Sequence, residues 1–223
     1  YSLKKSFFSH IRGNDITDAI SGMIHAGVQI RAIPADDWQD AIFAWDLLKM
    51  NRRLLKNHPM AREGTASRQT IIQGPVSIGR GTTIGPNTVI SGPVVIGNDC
   101  TIGPNCCIMP NTSIGSRVHL EPFTVIGDAI IMDDTAIGSH SRIIDTVIGE
   151  RCTLADHTSI WKATGLMDIE GCTIRSEFGA ILGDNMASGP FTVYKNCVVG
   201  NNVTIEGQTS ISSRNIPDGS TVI

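Results

Sequence analysis

The chain has 223 residues, 41% hydrophobic and 17% charged, and 18 Lys and Arg against 21 Asp and Glu leave a net charge of −3. With no basic block, nucleic acid is not an expected partner. No apolar run approaches the roughly 18 residues of a membrane span, and Tyr1-Ser2-Leu3-Lys4-Lys5 lacks an uninterrupted apolar signal core, so no membrane contact and a cytoplasmic location are expected.

Residues 1–58 carry helical patterning. Asn14 or Asp15 can cap a helix that begins near Ile16, continues through Ile20 and Met23-Ile24, and ends at His25-Ala26 with Gly27 as a left-handed terminator. Val28 to Ile33 reads as a short strand and Pro34 to Asp37 as a turn. A second helix is expected from about Asp40 to Asn57, with Ile42, Phe43, Trp45, Leu47, Leu48, Leu54 and Leu55 as its apolar members. Arg52, Arg53 and Lys56 stand late in it, where the helix dipole favours cations, and His58-Pro59 stops it. Two helices and one strand are too few for a core of their own. They read as the tail of an α/β domain or as a segment packed on the C-terminal part of the chain. Residues 59–70 form a polar linker.

From Ile72 the chain keeps a period of six: Ile72, Ile78, Ile84, Ile90, Ile96, Ile102, Ile108, Ile114, Leu120 and Ile126. Four places after each stands a small or β-branched residue, from Val76 and Thr82 to Thr124 and Ile130. Neither a helix nor an alternating strand has this period; it is the signature of a parallel β-helix with three six-residue faces per coil, so residues 18 apart stack. Gly-Pro-Asn at 85–87 and 103–105 suits the corners, where Gly and Asn tolerate unusual φ values. Cys100 and Cys106 fall on the inward small-residue position and are expected as core filler, not as metal ligands or a disulfide. After Ile126, Met132 keeps phase, Ile137 and Ile148 each arrive one residue early, and the hexads run on to Leu154 and Ile160. From Trp161 to Phe178 the repeat vanishes into a loop or arm; Phe178 to Asn185 re-enters the prism, and Val193, Val199, Ile205 and Ile211 resume the hexad. Outward apolar residues, including Val89, Val95, Val125 and Ile131, imply association with further copies.

Two stretches carry a family resemblance: Ser9-His10-Ile11-Arg12-Gly13-Asn14-Asp15-Ile16-Thr17-Asp18-Ala19-Ile20, and Trp38 to Arg52 with its core Trp45-Asp46-Leu47-Leu48. Followed by hexads, they resemble the C-terminal edge of a sugar-1-phosphate nucleotidylyltransferase domain and its left-handed β-helix. The relatives in view are glucose-1-phosphate thymidylyltransferase and the bifunctional N-acetylglucosamine-1-phosphate uridylyltransferase/acetyltransferase. The resemblance implies a mainly β chain: residues 1–58 a remnant of the nucleotidyltransferase α/β domain, 59–70 a linker, 71–223 a left-handed parallel β-helix. It places Asp15 near a sugar-contacting position and Asp40 on an aspartate that helps hold catalytic Mg2+, whose hard oxygen ligands suit bridged phosphates. The substrates implied are a sugar phosphate and a nucleoside triphosphate. The glycine-rich nucleotide loop of that family does not occur in these residues, so this chain alone is not expected to carry out nucleotidyl transfer.

The same resemblance raises an acetyl-CoA-dependent acetyltransferase acting on an amino-sugar phosphate. Such enzymes bind the acyl donor between prisms of a homotrimer and use a histidine as base. His140 lies in the matching segment, one residue from the aligned place; His157 is the alternative. Arg142, which stands where a tyrosine is expected, and Lys195 are the candidate substrate contacts. The lysines expected near Ala187 and Val198 are replaced, which ranks nucleotidyl transfer with a β-helix for assembly or regulation first. Acetyl transfer comes second and a non-catalytic structural β-helix third.

Overall fold

The computed structural model describes residues 7–8, 11, 15–34, 38–169 and 171–223. They fall into two units, 1–39 and 40–223. Among the described residues no helix is long and apolar enough to cross a membrane.

In the first unit, helix α1 spans Ile16–His25. Asp15 caps it, its carboxylate accepting the Thr17 backbone N–H at 2.8 Å and the Thr17 hydroxyl at 2.7 Å. Asn14, the other cap candidate, lies outside the described residues. At the far end Gly27 takes φ +76°, and the Gly27 and Val28 N–H groups donate to the Ile24 and Met23 carbonyls, both at 3.0 Å. Those bonds satisfy carbonyls the helix leaves open. The expected strand over Val28 to Ile33 does not form. All six residues are exposed, and among the described residues this unit offers no second strand to take up their backbone groups. The turn expected at Pro34 to Asp37 lies mostly outside the described residues.

The second unit includes residues 40–58, which the sequence set apart from the β-helix. Helix α2 spans Asp46–Leu55, starting six residues later than expected. The Asp46 carboxylate accepts the N–H groups of Ile42 (3.2 Å) and Phe43 (3.0 Å), so residues 40–45 hold a turn in place of a first helical turn. Leu48, Asn51 and Leu55 form the buried stripe of α2. The expected linker is already part of the winding: Arg62 bridges to Ile78, and Thr65–Ala66 pairs with Thr83–Ile84.

The rest is mainly β, a left-handed parallel β-helix whose longest single face has nine stacked strands among the described residues. Three aliphatic ladders fill its interior. One runs Ile72, Ile90, Ile108, Ile126, Ile143, Ile160, Tyr194, Ile211. After Ile72 its members are 3% exposed or less. Cys100 and Cys106 fill inward positions at 1% and 2% exposure, as expected. Backbone N–H groups donate to the neighbouring coil throughout, for example Gly79 to Ile96 at 2.9 Å and Gly97 to Ile114 at 2.8 Å.

The coils change length partway. Ile90, Ile108 and Ile126 stack 18 apart; from Ile126 to Ile143 to Ile160 the step is 17. The missing residue is always lost at one corner. Ile131, not Met132, continues the interior after Ile126, at 1% exposure. Ile131 is therefore not outward; Ile130 is, and Ala129, fully buried, takes the small inward position expected of Ile130. The same shift puts Tyr194 rather than Val193 inside. Its bulk is matched by Ser188, which replaces the aliphatic of neighbouring coils, Leu154 and Ile205.

Each corner is a column of left-handed residues. One column holds Asp99, Arg117, Asp134, Arg151, Asn185 and Asn202; a second holds Asn87, Asn105, Phe123, His140, His157, Phe191 and Gln208; the third, at the shortened corner, holds Asn111, Asp128, Asp145, Asn196 and Ser213. Asn87 and Asn105 thus take the conformation expected of them. Gly85 does not; it is required because the next coil passes so close that a Cβ would strike the backbone of Gly103 and Pro104.

The residues from 161 to 178 that the structure describes form an arm in which Ala163–Ile169 and Cys172–Phe178 pair antiparallel, with Gly171 at φ +80°. The arm leaves the prism at the shortened corner and lies back on it. Met167 and Phe178 pack with Leu48 of α2 and with Val147 and Ile181 on the prism exterior, a second core outside the first. Part of the outward apolar surface is thus covered by the chain itself.

Candidate functional site

Two clusters on the second unit carry polar side chains arranged by the winding. At the second corner, Phe123, His140, His157 and Phe191 occupy the same place on successive coils, and their rings stack. Centroids are 4.8 Å apart for Phe123 and His140, 5.1 Å for His140 and His157, and 4.6 Å for His157 and Phe191. All four are exposed. The structure so brings the two histidine candidates together. Neither imidazole has a hydrogen-bond partner among the described residues to fix its tautomer, as a general base needs. Arg142, exposed, lies over the Trp161 ring with its guanidinium carbon 5.2 Å from the centroid. Lys195 is exposed on Val193–Lys195.

The remaining candidates do not join them. Asp15 belongs to the first unit, where its carboxyl is held below the usual range by the Thr17 hydroxyl and N–H. Asp40 is exposed and precedes the turn that Asp46 holds. Among the described residues no group of three His, Cys, Asp or Glu gathers to hold a metal ion.

The second cluster is at the shortened corner. Arg52 of α2 reaches two successive corner carboxylates, Nε to Asp128 at 2.5 Å and Nη2 to Asp145 at 2.6 Å. Its neighbour Asn51 donates to the Asn111 carbonyl at 2.9 Å and accepts from the Ser113 hydroxyl at 2.6 Å. Three consecutive corner residues, Asn111, Asp128 and Asp145, so clamp one helical turn. Burial pushes the Asp145 carboxyl above its usual value, outweighing the opposing pull of Lys162 and Arg52. Lys162, at the root of the arm, stands 3.8 Å from Asp145 and 3.9 Å from Glu177. Inside the clamp, Trp45 stacks between Phe43 (4.7 Å) and Phe178 (4.9 Å).

Sequence patterning gives Arg52 only a helix-dipole role and Asp145 none. The available signal was the 17-residue spacing of Asp128 and Asp145, each two residues after an interior isoleucine at the shortened repeat.

Over 183 residues the chain is 37% identical to the bifunctional protein GlmU of Methanococcus aeolicus, covering 78% of this chain and 44% of that protein. It is 35% identical over 137 residues to the low-salt glycan biosynthesis nucleotidyltransferase Agl11 of Haloferax volcanii, covering 61% and 38%. The chain thus spans less than half the length of these curated relatives. Among solved structures, LpxA of Acinetobacter baumannii superposes with a TM-score of 0.43 at 16% identity, over 72% of this chain and 65% of that one. The sequence similarity is thus to parts of GlmU and of a nucleotidyltransferase. Residues 90–217, more than half of the chain, match the model of the GMPPB C-terminal domain, and the chain belongs to that family.

Proposed function

We propose that this chain is the C-terminal portion of a sugar-1-phosphate nucleotidylyltransferase, whose full-length form joins a sugar 1-phosphate to a nucleoside triphosphate with loss of diphosphate. In this reading residues 1–58 are the tail of the nucleotidyl-transferring domain and the β-helix is a platform for assembly or regulation. The observation that carries it is the clamp. Helix α2, in a stretch that resembles the end of the catalytic domain, is fixed on the prism by Arg52 and Asn51. A rigid stack that grips the segment leading into it is suited to hold a preceding domain in place. Asp15 and Asp40 would contribute a sugar contact and a magnesium ligand only when that domain completes the site.

The test is enzymatic. The full-length gene product, given Mg2+, a nucleoside triphosphate and a panel of sugar 1-phosphates, is expected to release diphosphate, and this chain alone is not. The stacked pair His140 and His157, with Arg142 nearby in sequence, supports a second reading: acetyl transfer from acetyl-CoA to an amino-sugar phosphate, with Lys195 binding substrate in a groove completed by another copy. Acetyl transfer by this chain, abolished by His140→Ala or His157→Ala, overturns the platform reading. Light scattering decides between a homotrimer and another homo-oligomer.

A further inference from the structure

Between α2, the arm and the shortened corner lies an open pocket of about 300 Å³, at the lower end of the size range of ligand sites. Its wall combines Trp45 and Leu48 with the cations Lys49, Arg52, Lys162 and Arg175 and the acids Asp145 and Glu177. Two of the cations are engaged. Arg52 is bound to Asp128 and Asp145, and Lys49 pairs with Asp46 at 3.1 Å. The other two are less engaged. Lys162 makes only long ion pairs, 3.8 Å to Asp145 and 3.9 Å to Glu177, which leave its N–H donors without a hydrogen bond, and Arg175 has neither an ion pair nor a hydrogen bond among the described residues. Arg175 lies on the strand Cys172–Phe178, next to Ser176, whose hydroxyl is tied to Asn196 at 3.0 Å. The strand that carries Arg175 is therefore anchored, and its guanidinium is presented on a fixed backbone.

From this arrangement we infer that the pocket binds a small phosphate-bearing ligand, with Lys162 and Arg175 as its anion contacts and the Trp45–Leu48 side facing the rest of the molecule. A planar guanidinium and an ammonium with free donors suit a phosphate dianion better than a single carboxylate. The engaged pair, Arg52 with Asp145, forms the floor and is not displaced. The inference is independent of the platform reading, because it concerns binding and not nucleotidyl transfer.

The experiment is calorimetry on this chain at fixed ionic strength, titrating inorganic diphosphate, glucose 1-phosphate and a nucleoside diphosphate sugar, with citrate as a non-phosphate anion. Saturable one-to-one binding of at least one phosphate compound is expected, weakened tenfold or more by Arg175→Ala and by Lys162→Gln. Arg175→Lys should fall between, and Arg80→Ala, far along the sequence at an exposed position, should bind like wild type. Tighter binding of an ester than of inorganic diphosphate names an organic ligand; equal binding names the free anion. Each supports the site. Absence of saturation with all three phosphate compounds, citrate binding as tight as the phosphates, or equal affinity in Arg175→Ala, Lys162→Gln and wild type overturns it. Circular dichroism of each variant confirms the fold, and the exposed Arg175, unpartnered among the described residues, leaves no structural contact to lose.

Discussion

The guanidinium of Arg52 meets the carboxylate of Asp145 at 2.6 Å across 93 residues of sequence. Asp145 is nearly buried there, its side chain 9% exposed, while Arg52 keeps 35% of its surface. Removing the arginine would leave the two corner carboxylates with only Lys162, 3.8 Å from Asp145, as a nearby cation. Arg52→Ala is expected to destabilise the second unit by about 2 kcal/mol, below the range for fully buried pairs because water reaches the guanidinium. Urea unfolding measures the loss. Amide exchange should quicken in residues 48–55 well before it does in the prism; uniform quickening would show that the clamp does not act locally.

Asp46 gives a pH dependence of known sign. Burial alone would raise its carboxyl, but the Phe43 N–H, Lys49 and the Ile42 N–H together hold it below its ordinary 3.8. A carboxyl lowered in the fold contributes stability above 3.8 and loses that contribution as pH falls through its folded value. Asp145 runs oppositely: raised in the fold, it favours folding most below 3.8, and that contribution is lost as pH rises through its folded value. The stability gap between wild type and Asp46→Asn should therefore be constant at neutral pH and close in acid. Denaturation midpoints at a series of pH values test it, and a gap that widens in acid would contradict the assignment.

Tyr194 tests the prism interior. Its hydroxyl and the Ser188 hydroxyl are both buried without a hydrogen-bond partner by distance and angle. Burial pushes the phenol above its usual range, with the nearby Ser188 hydroxyl opposing. Tyr194→Phe should change stability by less than about 1 kcal/mol, whereas Tyr194→Ala should cost about 3–5 kcal/mol through the cavity it leaves. A loss above about 2 kcal/mol in Tyr194→Phe, absent when Ser188→Ala is already present, would mean that the two hydroxyls bond to each other in solution.

The arm should be removable. Joining Trp161 to Gly179 deletes 17 residues and leaves Ile160 and Leu182 five apart, the spacing of Ile143 and Ile148 at the same corner. The shortened chain should keep the β-helix signal in circular dichroism. It should lose protection of α2, because Met167 and Phe178 no longer cover Leu48. Collapse of the whole β signal would show that the arm is needed for winding.

The ladders were legible because each interior position sees the same surroundings, so the sequence repeats its answer: isoleucine at 90, 108 and 126 solves one packing problem three times. Met132 was misplaced because it is also apolar and sits beside the true interior residue Ile131. A one-residue slip is invisible until the next coil fixes the register. The hairpin had a signal in its alternation, with Met167, Ile169, Ile174, Ser176 and Phe178 facing inward on either side of Gly171, but a six-residue template passes over a two-residue period. The clamp had none that one stretch could show. Arg52 is an ordinary late-helix cation until folding brings coils 76 and 93 residues away beneath it. The stacked histidines were found one at a time; the change from 18 to 17 residues per coil is what aligns them.

Nine stacked strands on one face, each about 4.8 Å from the next, set about 40 Å between the first and last coils. Backbone bonds run along that axis, so stretching the stack would break many at once. The β-helix is therefore a ruler. Whatever α2 steadies near the middle of that length, and whatever meets Thr221–Val222 on the ninth strand, are kept a set distance apart, and inserting or deleting a whole coil would change that distance in steps of one strand spacing.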